Sequence, residues 1–269
     1  MSFHFNPKLV TDGLIWAVDA ANNASYNGAS TTWNDLYINS QNLTLLSGSG
    51  LNKSLPVYSS NNLGNFFFNF TASTSYMSGS YAIDTGQNFS VGAWIYPTPG
   101  LTTTAGPTTN RGAILNTSYD FTTGSISGEK HGWYFLVQAT GTSYTANAYN
   151  FGISIGRDLS TKSSTNAVPL NRWSYLVVTV SNSAVTTAGT ILYVNEASVT
   201  SAGTAAATSP ILYTYPTTTM GARYTLNQPT GQPDWFPGYI AASHIYNRVL
   251  TPQEVGQNYN AYKARFGLT

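Results

Sequence analysis

The sequence predicts an all-β fold: a single antiparallel β-sandwich closed by one short C-terminal α-helix. Three observations predict it. Short apolar or alternating runs bounded by Gly, Pro, Asn and Ser recur along all 269 residues, the pattern of strands joined by turns. Only the last twenty or so residues repeat with helical spacing. Charged residues make up 8% of the chain, against about 25% in an average soluble domain, so neutral Ser, Thr, Asn, Gly and Tyr must cover the surface.

Taken in order, strands are expected near 13–19, 65–70, 88–96, 111–116, 132–139, 149–156, 173–181, 190–195, 218–223 and 237–246. Val91, Ala93 and Ile95 alternate with Gly92, Trp94 and Tyr96, which places aliphatic side chains on one face and aromatic ones on the other. Both faces of that strand are therefore expected to be covered. The run Trp173-Ser-Tyr-Leu-Val-Val-Thr-Val suits a central strand, and Ile191-Leu-Tyr-Val-Asn-Glu a more peripheral partner ending in a turn. The segments 98–110, 117–130, 140–148, 157–170, 198–209 and 225–234 read as long loops.

The helix follows from its caps. Thr251 suits the N-cap, Pro252 the first helical position, and Glu254, three residues after Thr251, completes a capping box. Val255, Tyr259, Tyr262 and Phe266 then form one stripe, and Gly267 supplies the stop. That stripe is expected to pack on the sandwich.

A sandwich of this length is readily one domain, and a chain this long buries roughly three quarters of its unfolded surface without staples. No cysteine is present, which excludes disulfides, thiolate metal sites and a thiol nucleophile. No internal repeat or linker divides the chain. Residues 1–12 read as an N-terminal arm, with Phe3, Phe5 and Leu9 as anchors for a neighbouring molecule, and 13–269 as the domain. The net charge of +1 comes without a basic cluster, so nucleic acid is not an expected partner. The start lacks the pattern of a secretory signal, and no apolar run reaches the roughly 20 residues of a spanning helix. A soluble protein made in the cytoplasm, without membrane insertion, is expected. The Asn-x-Ser/Thr triplets at Asn23, Asn42, Asn52, Asn69, Asn88 and Asn116 follow from composition alone.

Several segments carry a family likeness in order. Gly13-Leu-Ile-Trp-Ala-Val-Asp-Ala-Ala-Asn-Asn-Ala-Ser-Tyr with Thr32-Trp-Asn-Asp-Leu36 comes first, then Asn88-Phe-Ser-Val-Gly-Ala-Trp-Ile-Tyr-Pro97 and Asn171-Arg-Trp-Ser-Tyr-Leu-Val-Val-Thr-Val180. Ile191-Leu-Tyr-Val-Asn-Glu196 and the stretch from Gly238 to Leu268 complete the set. The chain resembles the laminin-G-like, concanavalin A-like jelly-roll domains of bacteriophage virion proteins. In the first loop, Asp19, Asn22, Ser25 and Tyr26 can be tied by side-chain-to-backbone bonds.

The resemblance implies a non-enzymatic structural protein on the virion surface, as capsid decoration or in a tail or fibre. Its implied partners are other virion proteins, surface glycans, and further copies of itself in symmetric array. The sequence also departs from the family. The segment Phe68-Asn-Phe-Thr-Ala-Ser-Thr-Ser-Tyr76 lacks the acids usual there. Calcium, the one cofactor the resemblance raises, thus loses carboxylates that hard cations want, and no cofactor is expected. Asn195-Glu196 stands where Asn-Gly is usual, which is expected to cost the turn its ideal positive-φ residue.

Catalytic patterns are sparse. Glucanases of this sandwich carry closely spaced carboxylates, whereas Glu129, Glu196 and Glu254 are isolated and are read as loop, hairpin tip and helix cap. His4, His131 and His244 lack a partner at metal-ligand spacing, and Gly124-Ser-Ile-Ser-Gly128 has no base nearby. A glycoside hydrolase is the least favoured class, and no catalytic residue is assigned. The alternative to virion assembly is a glycan-binding receptor-recognition lectin. Tyr144, Asn147 and Tyr149, or Asp234 with Trp235, are its candidate contacts, since Tyr, Trp and Asn on loops offer stacking faces and adaptable hydrogen bonds.

Overall fold

A computed structural model describes residues 8–37, 41–47, 54–61, 65–70, 75–79, 83, 85–101, 111–117, 132–139, 148–155, 159–163, 166–181, 189–203, 217–223 and 234–269. In chain order the strands are β1 (Leu14–Asp19), β2 (Thr32–Trp33), β3 (Leu43–Ser47), β4 (Val57–Ser60), β5 (Phe66–Asn69) and β6 (Ser75–Ser78). Next come β7 (Phe89–Pro97), β8 (Arg111–Asn116), β9 (Trp133–Gln138), β10 (Ala148–Ile155), β11 (Leu159–Ser163) and β12 (Val168–Pro169). The last are β13 (Ser174–Val180), β14 (Thr190–Val194), β15 (Ala197–Val199), β16 (Ser201–Gly203), β17 (Thr219–Met220) and β18 (Gly238–Tyr246), followed by helix α1 (Pro252–Tyr262).

The strands form two antiparallel sheets. One has eight strands, in the order β15-β14-β13-β7-β18-β5-β4, with β1 also pairing β18. The other has ten, in the order β16-β11-β10-β9-β8-β17-β6-β3-β2, with β12 also pairing β10. All ten expected strands are present. The additional ones are mostly short and polar, and β11, β12, β15 and β16 fall where 157–170 and 198–209 were expected to be loops. These pieces have little alternation of their own; pairing orders them, as when β11 aligns Thr161 with Ile153 of β10.

The inner faces of the two sheets enclose one core, including Trp16, Trp33, Phe68, Phe89, Val91, Ile95, Trp133, Phe135, Phe151 and Val178. A second apolar layer lies on the outer side of the eight-stranded sheet, beneath α1, and contains Trp94, Tyr175, Tyr246, Val255, Tyr259 and Phe266. The alternation in β7 thus separates as expected, with Val91, Ala93 and Ile95 in one core and Trp94 in the other. The Trp94 ring stacks on Phe266 at 4.4 Å, Tyr175 at 5.3 Å and Tyr259 at 5.7 Å between centroids. Gly92 leaves room for this layer, because a Cβ there would come within 2.7 Å of the Tyr175 hydroxyl oxygen.

The helix begins as its sequence dictates. The Thr251 hydroxyl accepts from Glu254 N at 3.3 Å, and Glu254 Oε2 accepts from Thr251 N at 2.8 Å. Gly267 ends the following turn of 3₁₀ helix with φ +71°, a backbone conformation that side chains with a Cβ disfavour. Arg248 donates to both Glu254 oxygens and pairs with Asp12, while Arg265 Nη1 meets Asp19 Oδ1 at 2.6 Å. No helix among the described residues is long and apolar enough to cross a membrane.

The first loop is tied as expected. Asp19 N donates to Ser25 Oγ, Ser25 Oγ to Asn34 O, and Tyr26 OH to Ser30 O. The Asn195-Glu196 turn corrects its expectation. Asn195 carries the positive φ of 60° and Glu196 does not, so no glycine is needed at the second position. Asn195 also accepts from Tyr175 N through its side chain.

Residues 8–12 are joined to the domain. Val10 is buried and Leu9 packs against the helix-side layer. Val10 N donates to Asn258 Oδ1 at 2.9 Å, Asn258 Nδ2 to Tyr246 OH at 3.0 Å, and Tyr246 OH to Val10 O at 3.0 Å. Leu9 thus packs partly within its own domain, and Phe3 and Phe5 lie outside the described residues.

His244 sits in the helix-side layer with Nε2 3.3 Å from Tyr262 OH. Burial, reinforced by the Arg265 cation, lowers its pKa to about 3. The unfolded chain binds a proton below its ordinary value of 6.5, so the folded state binds fewer protons throughout that interval. Stability is then lost as pH falls from about 6.5 toward 3, with a slope of at most about 1.4 kcal/mol per pH unit. His244→Gln is expected to flatten the melting temperature against pH between about 6.5 and 5. A second acid-labile contribution remains below that, because the Arg248 contact holds the Glu254 carboxyl at about 2. An unchanged pH profile in the variant contradicts the buried-histidine account.

Candidate functional site

The ten-stranded sheet turns a different face away from the core. In β9 the inward Trp133, Phe135 and Val137 alternate with Tyr134, Leu136 and Gln138, and in β10 the inward Tyr149, Phe151, Ile153 and Ile155 alternate with Asn150, Gly152 and Ser154. Ala113, Tyr134 and Leu136 form a small separate cluster there. A bulge in β8 between Ala113 and Leu115 adds Ile114, so both Ile114 and Leu115 reach the core. The same extra residue returns Asn116 to the outer side opposite Tyr134. Bulges commonly re-aim side chains in this way beside binding sites.

Over this face lies the segment that leads into β18. Ala113 N donates to Asp234 O at 2.9 Å, and Phe236 N to Gly221 O at 2.9 Å. The Asp234 residue is 1% exposed, and a buried carboxylate requires partners. Its Oδ2 accepts from Tyr134 OH at 2.9 Å and lies 3.3 Å from Arg223 Nε. Arg223 also places its guanidinium 5.2 Å from the Tyr134 ring centroid. Burial, with the Asp234 charge next in importance, pushes the Tyr134 phenol well above its ordinary value, so it remains a neutral donor. Trp235 is partly exposed and meets the mostly buried Tyr76 at 6.2 Å between centroids. The result is a fixed polar cluster with one aromatic ring partly open to solvent.

The sequence-derived candidates are thus divided. Asp234 and Trp235 stand together at this face. Tyr149 is in the sandwich core, its hydroxyl donating to Thr98 O at 3.0 Å and accepting from Leu101 N at 3.3 Å. That placement removes Tyr149 from a solvent-facing set with Tyr144 and Asn147, which lie outside the described residues. His4, His131, Glu129 and Gly124–Gly128 also lie outside them. Glu254 caps α1 as expected, and Glu196 at its hairpin accepts from Asn260 of the helix at 3.4 Å.

Of the described acids, Asp234 is the one on this face; Asp12, Asp19, Asp35, Glu196 and Glu254 meet partners on the helix side. Among the described residues no group of three His, Asp or Glu is placed to hold a metal ion. Sequence reasoning missed Arg111, Tyr134 and Arg223. The outward half of the alternation in Trp133–Gln138 was the available signal for Tyr134.

Two antiparallel sheets around one core, a helix over one sheet and a polar cluster on the other define a concanavalin A-like sandwich. Residues 70–256 match a laminin G-like family model described as the concanavalin A-like lectin/glucanases superfamily, and the chain belongs to that family. Among solved structures it is similar to domain 4 of AbnA, an extracellular arabinanase from Geobacillus stearothermophilus, in complex with arabinotriose. The TM-score is 0.59 at 15% identity, covering 91% of this chain and 98% of that one.

It is also similar to the receptor-binding domain of a botulinum neurotoxin C/D mosaic, with TM-score 0.53, 14% identity, and coverage of 93% and 51%. A third similar structure is the Trypanosoma rangeli sialidase bound to a difluorosialic acid, with TM-score 0.56, 13% identity, and coverage of 98% and 36%. The chain therefore spans nearly all of the arabinanase domain but only about half of the toxin domain and about a third of the sialidase. At these identities the likeness is one of fold. The fold is shared by sugar-binding domains and by proteins with glycosidase activity. No curated protein matches the sequence significantly.

The cluster makes its own prediction. Tyr134→Phe removes a donor from a buried carboxylate and is expected to cost about 1–3 kcal/mol, measured by urea unfolding. A change below about 0.5 kcal/mol contradicts the role given to the Tyr134–Asp234 bond.

Proposed function

We propose that this protein is a non-catalytic glycan-binding module whose ligand rests on the outer face of the ten-stranded sheet. The observation that carries the reading is Trp235, partly exposed beside the fixed Asp234–Tyr134–Arg223 cluster. A sugar presents an apolar C–H face suited to an aromatic ring and a rim of hydroxyls suited to pre-oriented polar groups. The sugar ligands of the arabinanase domain and the sialidase support a glycan as ligand class. Among the described residues this face carries one acid, Asp234, held by Tyr134 and Arg223, which supports binding over hydrolysis, a reaction that uses two carboxyl groups flanking the bond.

The same reading accommodates display on a virion. The motifs running in order from Gly13 to Leu268 and a surface with few ions support it, although none of the three structures compared above comes from a bacteriophage. Copies arrayed with other virion proteins would multiply a weak glycan contact by avidity. Mass spectrometry of purified particles tests this location: recovery among lysate proteins and absence from particles rejects it.

A glycan array with purified protein tests the binding itself. Saccharide-selective binding is expected, with Trp235→Ala weakening it at least about tenfold, or about 1.4 kcal/mol. Silence of the wild-type protein across the array refutes glycan binding.

A further inference from the structure

On the same outer face, Arg111, Gln138 and Asn150 stand side by side on three adjacent strands. Arg111 of β8 is in register with Gln138 of β9, and Gln138 with Asn150 of β10. Side chains so aligned lie about 5 Å apart at their Cβ atoms. Arg111 Nε and Asn150 Oδ1 are both enclosed, and neither has a hydrogen-bond partner among the described residues. Buried polar groups are usually hydrogen-bonded, so this donor and acceptor on one side of the sheet are suited to the polar groups of a ligand.

The charges say what kind. Arg111, in register with Gln138, and Arg223, paired with Asp234 beneath Tyr134, both lie on this outer face. Arg223 is matched by Asp234; Arg111 has no described acid beside it. The segments that adjoin the row, 102–110 and 140–147, contain no Asp or Glu, nor does 224–233, which joins Arg223 to Asp234. Among the described residues the outer face therefore holds these two guanidiniums against the one carboxylate of Asp234.

Resting on the glycan reading above, we infer that the ligand is an acidic sugar, whose carboxylate is received by Arg111 while its hydroxyls engage Gln138 and Asn150. A guanidinium offers a planar pair of donors that matches a carboxylate in two parallel bonds. Asn150 Oδ1 accepts from a hydroxyl, and the Gln138 amide both donates and accepts. The carboxylate is that of a uronate in a polymer or of a terminal sialic acid, two sources of one chemistry.

Calorimetry distinguishes them. Oligogalacturonate is compared with its neutral methyl ester, and sialyllactose with lactose, at low and high salt. The expected result is at least about tenfold tighter binding of one carboxylated ligand than of its neutral counterpart, weakened by salt. Preference for oligogalacturonate assigns a uronate polymer, and preference for sialyllactose a terminal sialic acid. Arg111→Gln is expected to abolish the preference for the carboxylated ligand, and Arg111→Lys to restore part of it. Circular dichroism melts of both variants establish that they fold. Equal binding of acidic and neutral ligands, or an unchanged preference in folded Arg111→Gln, overturns the acidic assignment and leaves glycan binding standing. Binding of no saccharide, acidic or neutral, overturns both.

Discussion

Strand β7 has almost no solvent face, and the architecture follows from covering it. Its aliphatic side chains face the opposite sheet, while Trp94 faces away from it. An exposed Trp94 layer would leave a large apolar patch of the kind soluble domains rarely keep open. Helix α1 closes it, and the ring contacts of Trp94 with Tyr175, Tyr259 and Phe266 are each worth roughly 0.5–1.5 kcal/mol beyond burial. The capping box, the Arg248–Glu254 pair and the Arg265–Asp19 pair are devices for holding that cover in register. They lie near the surface, where ion pairs contribute little alone; their effect is to fix where the helix lands.

Covering β7 twice has a consequence for function. The eight-stranded sheet has one side on the core and much of the other under α1, so its outer side offers little open platform. The ten-stranded sheet carries no helix among the described residues, and the polar cluster gathers there. The division of labour is electrostatic as well. Five of the six described acids are engaged on the helix side, so among the described residues the opposite face sets Arg111 and Arg223 against Asp234 alone. A chain with only eleven cations and ten acids can thus present a local field that its net charge does not reveal.

What could be read from the sequence was whatever is local. The cap of α1 lies within four residues and the alternation of β7 within a single strand, so these were legible. The polar strands β11 and β16 were not, because their order comes from neighbours distant in the chain. The same distinction governs buried polar contacts. Asn258 looks like an ordinary helical residue, yet it binds Val10, 248 positions away. At the site, Asp234 and Trp235 stood out as residue types. Arg111 became meaningful only once cross-strand register set it beside Gln138 and Asn150, and Tyr149, which looks like a loop aromatic, is claimed by the core through the inward half of β10.

The contact between Val10 and Asn258 also orients the molecule. Lys8 O accepts from Gln257 of the helix, and Leu268 packs into the same layer, so both ends of the described chain emerge on the helix side. The arginine-bearing sheet faces the other way, across the full thickness of the sandwich. Whatever holds the domain by either end, whether a neighbouring polypeptide, a resin or a sensor chip, turns the helix toward the support and leaves the opposite face open to the medium.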